Sequence, residues 1–347
     1  MDRIYIRADA NKQIGTGHVM RCLSIADCIT EKEVVFIVAD KCSETLIHEK
    51  GYSTICLETI WNDLESEIEV LKRVIEENKI ERLLIDDYFV TEFYLLEIGK
   101  LVEIYYIDDI NQFLYPVSTL INYNIYAKDM NYEERYEKQK VKTRFLLGTE
   151  YAPLREEFQE IKERTFEGVR KILITSGGTD NYNMIGSILE RMEKEKDFLF
   201  YQFYCVIGRF NRNKDALLKK FETYENVHLL YNISNMSDYM RTCDVCITAG
   251  GSTIYELCAC GTPSVLFSLA DNQLDCAKKV SEIELIPWVG DARTDIRMCL
   301  DNIVKEIKKY NNLSYWETIS CRMQKLVDGK GARRIAEELV RCKIKVL

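Results

Sequence analysis

Of the three histidines in the chain, His18 stands apart. It follows two glycines in Ile14-Gly15-Thr16-Gly17-His18-Val19-Met20-Arg21-Cys22. An imidazole titrates near 6.5 in water, so on an exposed turn at neutral pH it can take a proton from water. Gly15 and Gly17 leave room for a substrate to approach it. His48 and His228 read as structural members of amphipathic elements. Two other stretches, Ser176-Gly177-Gly178-Thr179-Asp180 and Ala249-Gly250-Gly251-Ser252-Thr253, set paired glycines between a strand and a helix. Backbone N–H groups at such turns approach phosphate oxygens closely, and the helix that follows adds the favourable end of its dipole. Thr179 and Asn183 are further donors for the first turn, and Ser252 and Thr253 for the second. Glu256, one turn in, can accept hydrogen bonds from a ribose. The plainer reading has Ser252 capping its helix and Glu256 on the surface.

Other chemistries fit less well. No Gly-x-x-x-x-Gly-Lys-Ser/Thr occurs, and Gly15-x-Gly17 puts Met20 where a dinucleotide loop needs its third glycine, so neither a P-loop nor a dinucleotide cofactor is expected. The pairs Asp86-Asp87 and Asp108-Asp109 suggest a metal, but neighbours on a strand point to opposite faces, and no Asp-x-Asp spacing accompanies them. Cys243-Asp-Val-Cys246 stands without a second ligand pair and reads as core rather than as zinc or redox chemistry.

A regular framework must carry these residues. Ile4 to Ala8 reads as a strand ahead of His18, and Val19 to Ile29 has helical spacing, which sets His18 near a helix N-terminus. Val34 to Ala39 is a continuous apolar run, as in a parallel strand buried on both faces. Ser53 to Leu57, Arg82 to Asp86 and Glu103 to Asp108 read as strands, Leu120 to Asn122 as a weaker one. Cys42 to Lys50, Asp63 to Glu77 and Thr91 to Val102 read as helices. This alternation predicts a doubly wound α/β sheet whose carboxyl ends hold His18 and both acidic pairs. The pattern restarts at Lys171 to Thr175 and repeats through Phe200 to Ile207, Val227 to Leu230, Val245 to Thr248 and Ser264 to Ser268, with helices Asn183 to Lys194, Lys214 to Tyr224, Ile233 to Thr242 and Ile254 to Cys260 between. Trp316 to Lys343 reads as helix interrupted near Gly329. The expected organisation is an N-terminal Rossmann-like domain over 1–154 with the histidine loop, a charged linker over 155–168, a C-terminal Rossmann-like nucleotide-binding domain over 169–325, and a terminal helix over 326–347 returning to the first domain.

The 347 residues suffice for two cores, and 47% hydrophobic with 30% charged residues is globular composition. No apolar run reaches the roughly 18 residues of a membrane helix. The start, Met-Asp-Arg and then a strand, lacks the parts of a secretory signal, and the 13 cysteines are scattered, so a cytoplasmic, reduced protein is expected. A net charge of −9 argues against a nucleic-acid partner. A monomer is expected.

The motifs Ile6 to Asp9, Ile14 to Leu23, Leu147 to Arg155, Ser176 to Asp180, Ala249 to Glu256, Gly261-x-Pro263 and Ala270-Asp-Asn-Gln273, in this order, resemble those of PseG-type UDP-sugar hydrolases of the pseudaminic acid pathway, within the wider MurG-like group of GT-B proteins. The resemblance implies a GT-B fold, two Rossmann-like domains facing across a cleft. It also implies removal of UDP from UDP-2,4-diacetamido-2,4,6-trideoxy-β-L-altropyranose in nonulosonic acid biosynthesis, without metal or cofactor. By it, His18 activates water for inverting attack at the anomeric carbon and Asn272 positions the substrate. Gly178, Gly251, Ser252, Thr253 and Glu256 then surround the diphosphate and ribose; the further candidate substrate contacts are Gly177, Arg7, Asp9, Gly15, Gly17, Tyr88, Thr179, Asn183 and Gln273. Two departures bear on the sugar: Asp86-Asp87-Tyr88 stands where the group often has Asp-His-Tyr, and Asn111-Gln112 replaces a small apolar segment. The alternatives are a GT-B glycosyltransferase for surface or spore-coat polysaccharide, with His18 activating an acceptor hydroxyl, and a non-catalytic nucleotide-sugar binding protein.

Overall fold

A computed structural model describes residues 3–138, 142–160, 164–208, 211–231, 233 and 235–341. The chain divides into two compact units, one running to Glu156 and resuming at Gly329, the other Glu157–Asp328.

The first unit is built on seven strands: β1 Arg3–Ala8, β2 Glu33–Val38, β3 Ser53–Cys56, β4 Arg82–Asp86, β5 Glu103–Ile107, β6 Thr119–Asn122 and β7 Arg144–Leu147. Their order is β3-β2-β1-β4-β5-β6-β7, every pairing parallel. Helices cover both faces of such a sheet, which is why Val34 to Val38 are all buried. The order reverses between β1 and β4, so the loop after β1 and the end of β4 open the crevice where ligands of doubly wound sheets bind.

The second unit repeats the plan with β8 Lys171–Thr175, β9 Gln202–Ile207, β10 Val227–Tyr231, β11 Val245–Ala249, β12 Ser264–Ser268 and β13 Trp288–Asp291, in the order β10-β9-β8-β11-β12-β13, again parallel. Its reversal point lies between β8 and β11. Both glycine turns follow those two strands.

Several elements differ from the sequence expectation. β6, read as weak, is fully buried at the centre of a three-strand run. β7, β13 and the helices Tyr132–Lys138 and Ile296–Lys309 have no counterpart in the sequence pattern. The C-terminal stretch is two helices, Leu313–Leu326 and Gly331–Val340. The second packs on the helix Gly17–Ala26. It is fixed by Arg82 Nη1 donating to the Leu339 carbonyl (2.8 Å) and by the Arg144–Glu338 ion pair (2.6 Å). Gly331 starts it because a Cβ there would stand 2.3 Å from the Ala152 carbonyl oxygen.

From Glu157 onward the charged stretch belongs to the second unit. Arg164 donates to the carbonyls of Met240 and Cys243 and lies over the Trp316 ring, while Phe166 stacks on Trp316 at 4.4 Å. Residues 139–141, 161–163 of this stretch, Ser234 of the helix read over Ile233 to Thr242 and the part of the expected terminal helix from 342 lie outside the described residues.

Candidate active site

The helix Gly17–Ala26 puts His18, Arg21 and Cys22 on one face, since residues three and four apart are neighbours on a helix. That face meets Asp86, the last residue of β4. His18 Nδ1 lies 2.7 Å from Asp86 Oδ1, and Arg21 grips the same carboxylate with Nε and Nη2, both at 2.5 Å. Arg21 Nη1 also donates to Asp109 Oδ2 (2.8 Å) and to the Tyr123 hydroxyl (2.7 Å). Tyr88 donates from its hydroxyl to Asp109 (2.6 Å) and sets its ring edge-on to His18, centroids 4.5 Å apart.

Arg21 Nη2 is also 3.2 Å from His18 Nδ1. Nδ1 cannot accept from Arg21 while donating to Asp86. The shorter contact to an ionised acceptor decides it: Nδ1 carries the proton and Nε2 keeps its lone pair. Burial pushes the imidazolium down, the Asp86 carboxylate pulls it up more strongly, and His18 titrates above its ordinary 6.5. Burial alone would raise the Asp86 carboxyl, but Arg21 and His18 hold it well below the usual carboxylate range. An imidazole oriented in this way by a buried carboxylate is built to accept a proton at Nε2 and to bear the resulting charge.

His18 corrects one expectation, being 6% exposed rather than on an open turn. It is the second residue of its helix, turned inward by Asp86. Gly15, at φ +74°, pairs both ways with Asn11, and Gly17 is exposed with open space where a Cβ would stand.

The two acidic pairs divide by strand geometry. Asp86 and Asp109 converge on the Arg21 guanidinium, so a side-chain cation already holds them. Asp87 and Asp108 turn to cap their own loops, on the N–H groups of Phe89 and of Ile110 and Asn111. Burial pushes the Asp87 carboxyl up to about 6, against the pull of Arg7. Asn111 is tied to the Met130 carbonyl and to Arg135.

Arg7 and Asp9 are a second correction. Both are buried, at 0% and 2% exposure, because Arg7 pairs with Glu67 (2.7 Å) and Asp9, Tyr94 adds a bond to Glu67, and Asp9 accepts from the Ala39 N–H. With every carboxylate spoken for inside the fold, they brace β1 rather than face a substrate. His48 and His228 do have polar partners, Thr54 and Gln202.

In the second unit, Gly177, Gly178 and Thr179 are exposed at the end of β8, Gly177 at φ +83°. The cap of the helix Met184–Met192 is Asp180, which accepts from the Met184 and Ile185 N–H groups. Asn183 folds its amide over its own helix instead of projecting from the turn. A Cβ on Gly186 would meet that amide at 2.7 Å. Gly208, which the sequence did not single out, backs the turn so closely that its Cβ would lie 2.3 Å from the Gly177 carbonyl oxygen.

At the end of β11 the Gly251 N–H is bonded back to the Ala249 carbonyl (2.9 Å), so it is directed into the turn. Ser252 makes no side-chain cap, and Thr253 opens the helix Thr253–Cys260 with Glu256 half-buried in its first turn. Gly250 packs against Gln273, 3.3 Å from that carbonyl oxygen to where a Cβ would be, which sets Asp271–Gln273 beside this turn. Asn272 is exposed there. Gln273 is occupied in holding the loop, its Oε1 accepting from the Leu269 N–H (2.7 Å).

Arg21 is what the sequence reading missed here: it set both acidic pairs at the strand ends with His18 but not the cation on which Asp86 and Asp109 converge. The available signal was the spacing of His18, Arg21 and Cys22.

Two parallel-sheet α/β units with these turns define a protein of the GT-B fold. Residues 171–286 match the Glycosyltransferase family 28 C-terminal domain. Over 98% of its length the chain superimposes on MurG of Acinetobacter baumannii (99% of that chain, TM-score 0.69, 12% identity). It likewise matches UDP-GlcNAc 2-epimerase of Neisseria meningitidis (98% of this chain, all of that one, TM-score 0.65, 13% identity). Among sequence relatives, the chain is 24% identical to the spore coat polysaccharide biosynthesis protein SpsG of Bacillus subtilis, over 95% of both chains. It is 27% identical to the UDP-2,4-diacetamido-2,4,6-trideoxy-beta-L-altropyranose hydrolase of Campylobacter jejuni, over 73% of this chain and 87% of that one. An uncharacterized protein of Methanocaldococcus jannaschii is 26% identical over 82% of this chain, which spans only 60% of that relative. Among the described residues, no helix is long and apolar enough to cross a membrane.

Proposed function

We propose that the protein is a nucleotide-sugar hydrolase that removes UDP from a UDP-activated diacetamido-trideoxy hexose of the altropyranose type, in nonulosonic acid biosynthesis. The observation that carries the reading is the His18–Asp86 pair at the reversal point of the first sheet, with Nε2 left to act. The activity for which the Campylobacter jejuni relative is named supports the substrate.

In this reading His18 Nε2 takes a proton from water as the water oxygen attacks the anomeric carbon from the face opposite UDP. The bond from that carbon to the diphosphate oxygen breaks, UDP departs with the electron pair, and the sugar inverts. Asp86 stabilises the imidazolium formed in the same step. Negative charge grows on the leaving diphosphate, so N–H groups at the turns containing Gly178 and Ser252, with the end of the Thr253 helix, lower the barrier more than they tighten ground-state binding. Glu256 takes the ribose and Asn272 contacts the substrate, as the resemblance implies. No step calls for a metal.

The match to SpsG favours a second reading, a GT-B transferase for spore-coat polysaccharide in which His18 deprotonates an acceptor hydroxyl. Incubation with UDP-sugars and no acceptor separates the two. UDP release from the altrose derivative supports the hydrolase, and no release across a panel containing it rejects that reading. His18→Ala lowers turnover far more than UDP affinity if His18 is the base. For a non-catalytic binding protein there is no turnover to lose.

A further inference from the structure

We propose that Arg21 is a positioning residue for His18: its guanidinium locks the Asp86 carboxylate so that His18 keeps its proton on Nδ1 and presents Nε2, and it ties that pair through Asp109 to Tyr88. The inference rests on the reading of His18 as the base.

Four contacts converge on this one side chain. The planar fork meets both oxygens of Asp86 at 2.5 Å, which fixes the rotation of that carboxylate as a point charge would not. With Asp86 unable to rotate, its Oδ1 stays 2.7 Å from His18 Nδ1. The remaining arm reaches Asp109 and Tyr123, and the guanidinium carbon stands 5.5 Å from the Tyr123 ring centroid. Asp109 in turn holds the Tyr88 hydroxyl, so the ring lying edge-on against His18 is set by the same cation. The helix contributes His18 and Arg21, β4 ends in Asp86, and the loops after β5 and β6 supply Asp109 and Tyr123, so separate segments close on a single guanidinium.

The groups facing His18 are Asp86 and Asp87 from the end of β4, Arg21 from its own helix and Tyr88 from the following loop. Cys22 adds a thiol 3.6 Å from Asp86. Arg21 is the sole cation in that set. It opposes protonation of His18 while allowing Asp86 to remain ionised.

The test reads His18 by histidine-selective nitrogen-15 NMR in the unliganded protein, where no assumption about substrate enters. In the unaltered chain, above its titration, His18 is expected as the Nδ1–H tautomer. The Nε2–H form overturns the proposal, because Arg21 would then be donating to Nδ1. Arg21→Gln should move His18 titration upward by on the order of one pH unit and lower kcat at least tenfold, with UDP affinity kept within about twofold. Arg21→Lys restores the titration, having the charge, but only part of kcat, lacking the fork. An unmoved titration in Arg21→Gln overturns the proposal. If the substituted chains do not fold, the tautomer in the unaltered chain decides alone. Absence of UDP release sinks the hydrolase reading and leaves the NMR result to stand or fall separately. UDP release with an unmoved titration sinks only the role of Arg21.

Discussion

Replacing Asp86 by Asn keeps shape and removes the charge on which the histidine centre is built. At an effective dielectric near 20, a unit charge about 4 Å away is worth roughly 4 kcal/mol. That corresponds to roughly three pH units of titration. Without it, burial and the Arg21 cation act on His18 against only the weaker pull of Asp87, and its titration falls from above 6.5 to below it. The base limb of kcat, which rises with pH as His18 loses its proton, should shift to lower pH accordingly. On the plateau above both titrations His18 is neutral in both proteins, so any remaining loss there reports orientation. An amide presents a donor toward Nδ1 and favours the Nε2–H tautomer, which has no lone pair where the base is needed. The same exchange in a Ser-His-Asp triad costs about 10^4 in kcat. We expect a loss between about 10^2 and 10^4 here. Arg21 keeps Asp109 at 2.8 Å, so the variant should fold, which thermal unfolding and UDP binding would verify. Release of UDP from the altrose derivative across pH 5 to 9, with the His18 titration by NMR, is the measurement. A variant whose kcat on the high-pH plateau stays within about threefold of the parent and whose His18 titration is still above 6.5 would refute this.

Further outcomes follow from other contacts. Asp87→Asn should raise stability at pH 7 by up to roughly 3 kcal/mol: a carboxyl raised to about 6 in the fold makes stability fall as pH climbs from about 4 to 6, and the amide removes that loss while still accepting from Phe89. Denaturant titrations at pH 4.5 and 7 check it, the gain shrinking at the lower pH. Glu67→Ala leaves Arg7 buried with Asp9 as its remaining carboxylate and should cost about 3–5 kcal/mol without changing UDP affinity. Gly331→Ala forces a Cβ onto the Ala152 carbonyl and should lower the unfolding midpoint by several degrees, read by calorimetry.

Much of the framework was readable because parallel strands covered on both faces leave unbroken apolar runs, as in Val34 to Val38 and Ile172 to Ile174. Strand β13 gave no such run: it is four residues with Gly290 at φ +124° and an irregular register against β12. Its stabilising neighbours are distant in sequence, and local pattern does not record them. The same holds at the site. His18 was legible from its glycines, and its nearness to Arg21 from helical spacing. That both converge on Asp86, 65 and more residues away, depends on β4 lying beside β1. Arg7 was misjudged for the same reason, since its ion pair waits on Glu67, sixty residues further along. Backbone direction at the glycine turns was also hidden, as the inward bond of Gly251 depends on local dihedrals rather than composition.

The return of the final helix to the first unit orders events during synthesis. The helix that carries His18 is made among the first thirty residues, yet part of its apolar cover lies in Gly331–Val340. About 300 residues intervene, which a ribosome adding 5–20 residues per second makes in roughly 15 to 60 seconds. The second unit is continuous and can close as it emerges. The first must wait, with the flank of its histidine helix uncovered, until Gly331–Val340 has been made. Chaperone dependence and sensitivity to C-terminal truncation should therefore concentrate in the half of the protein that is translated first.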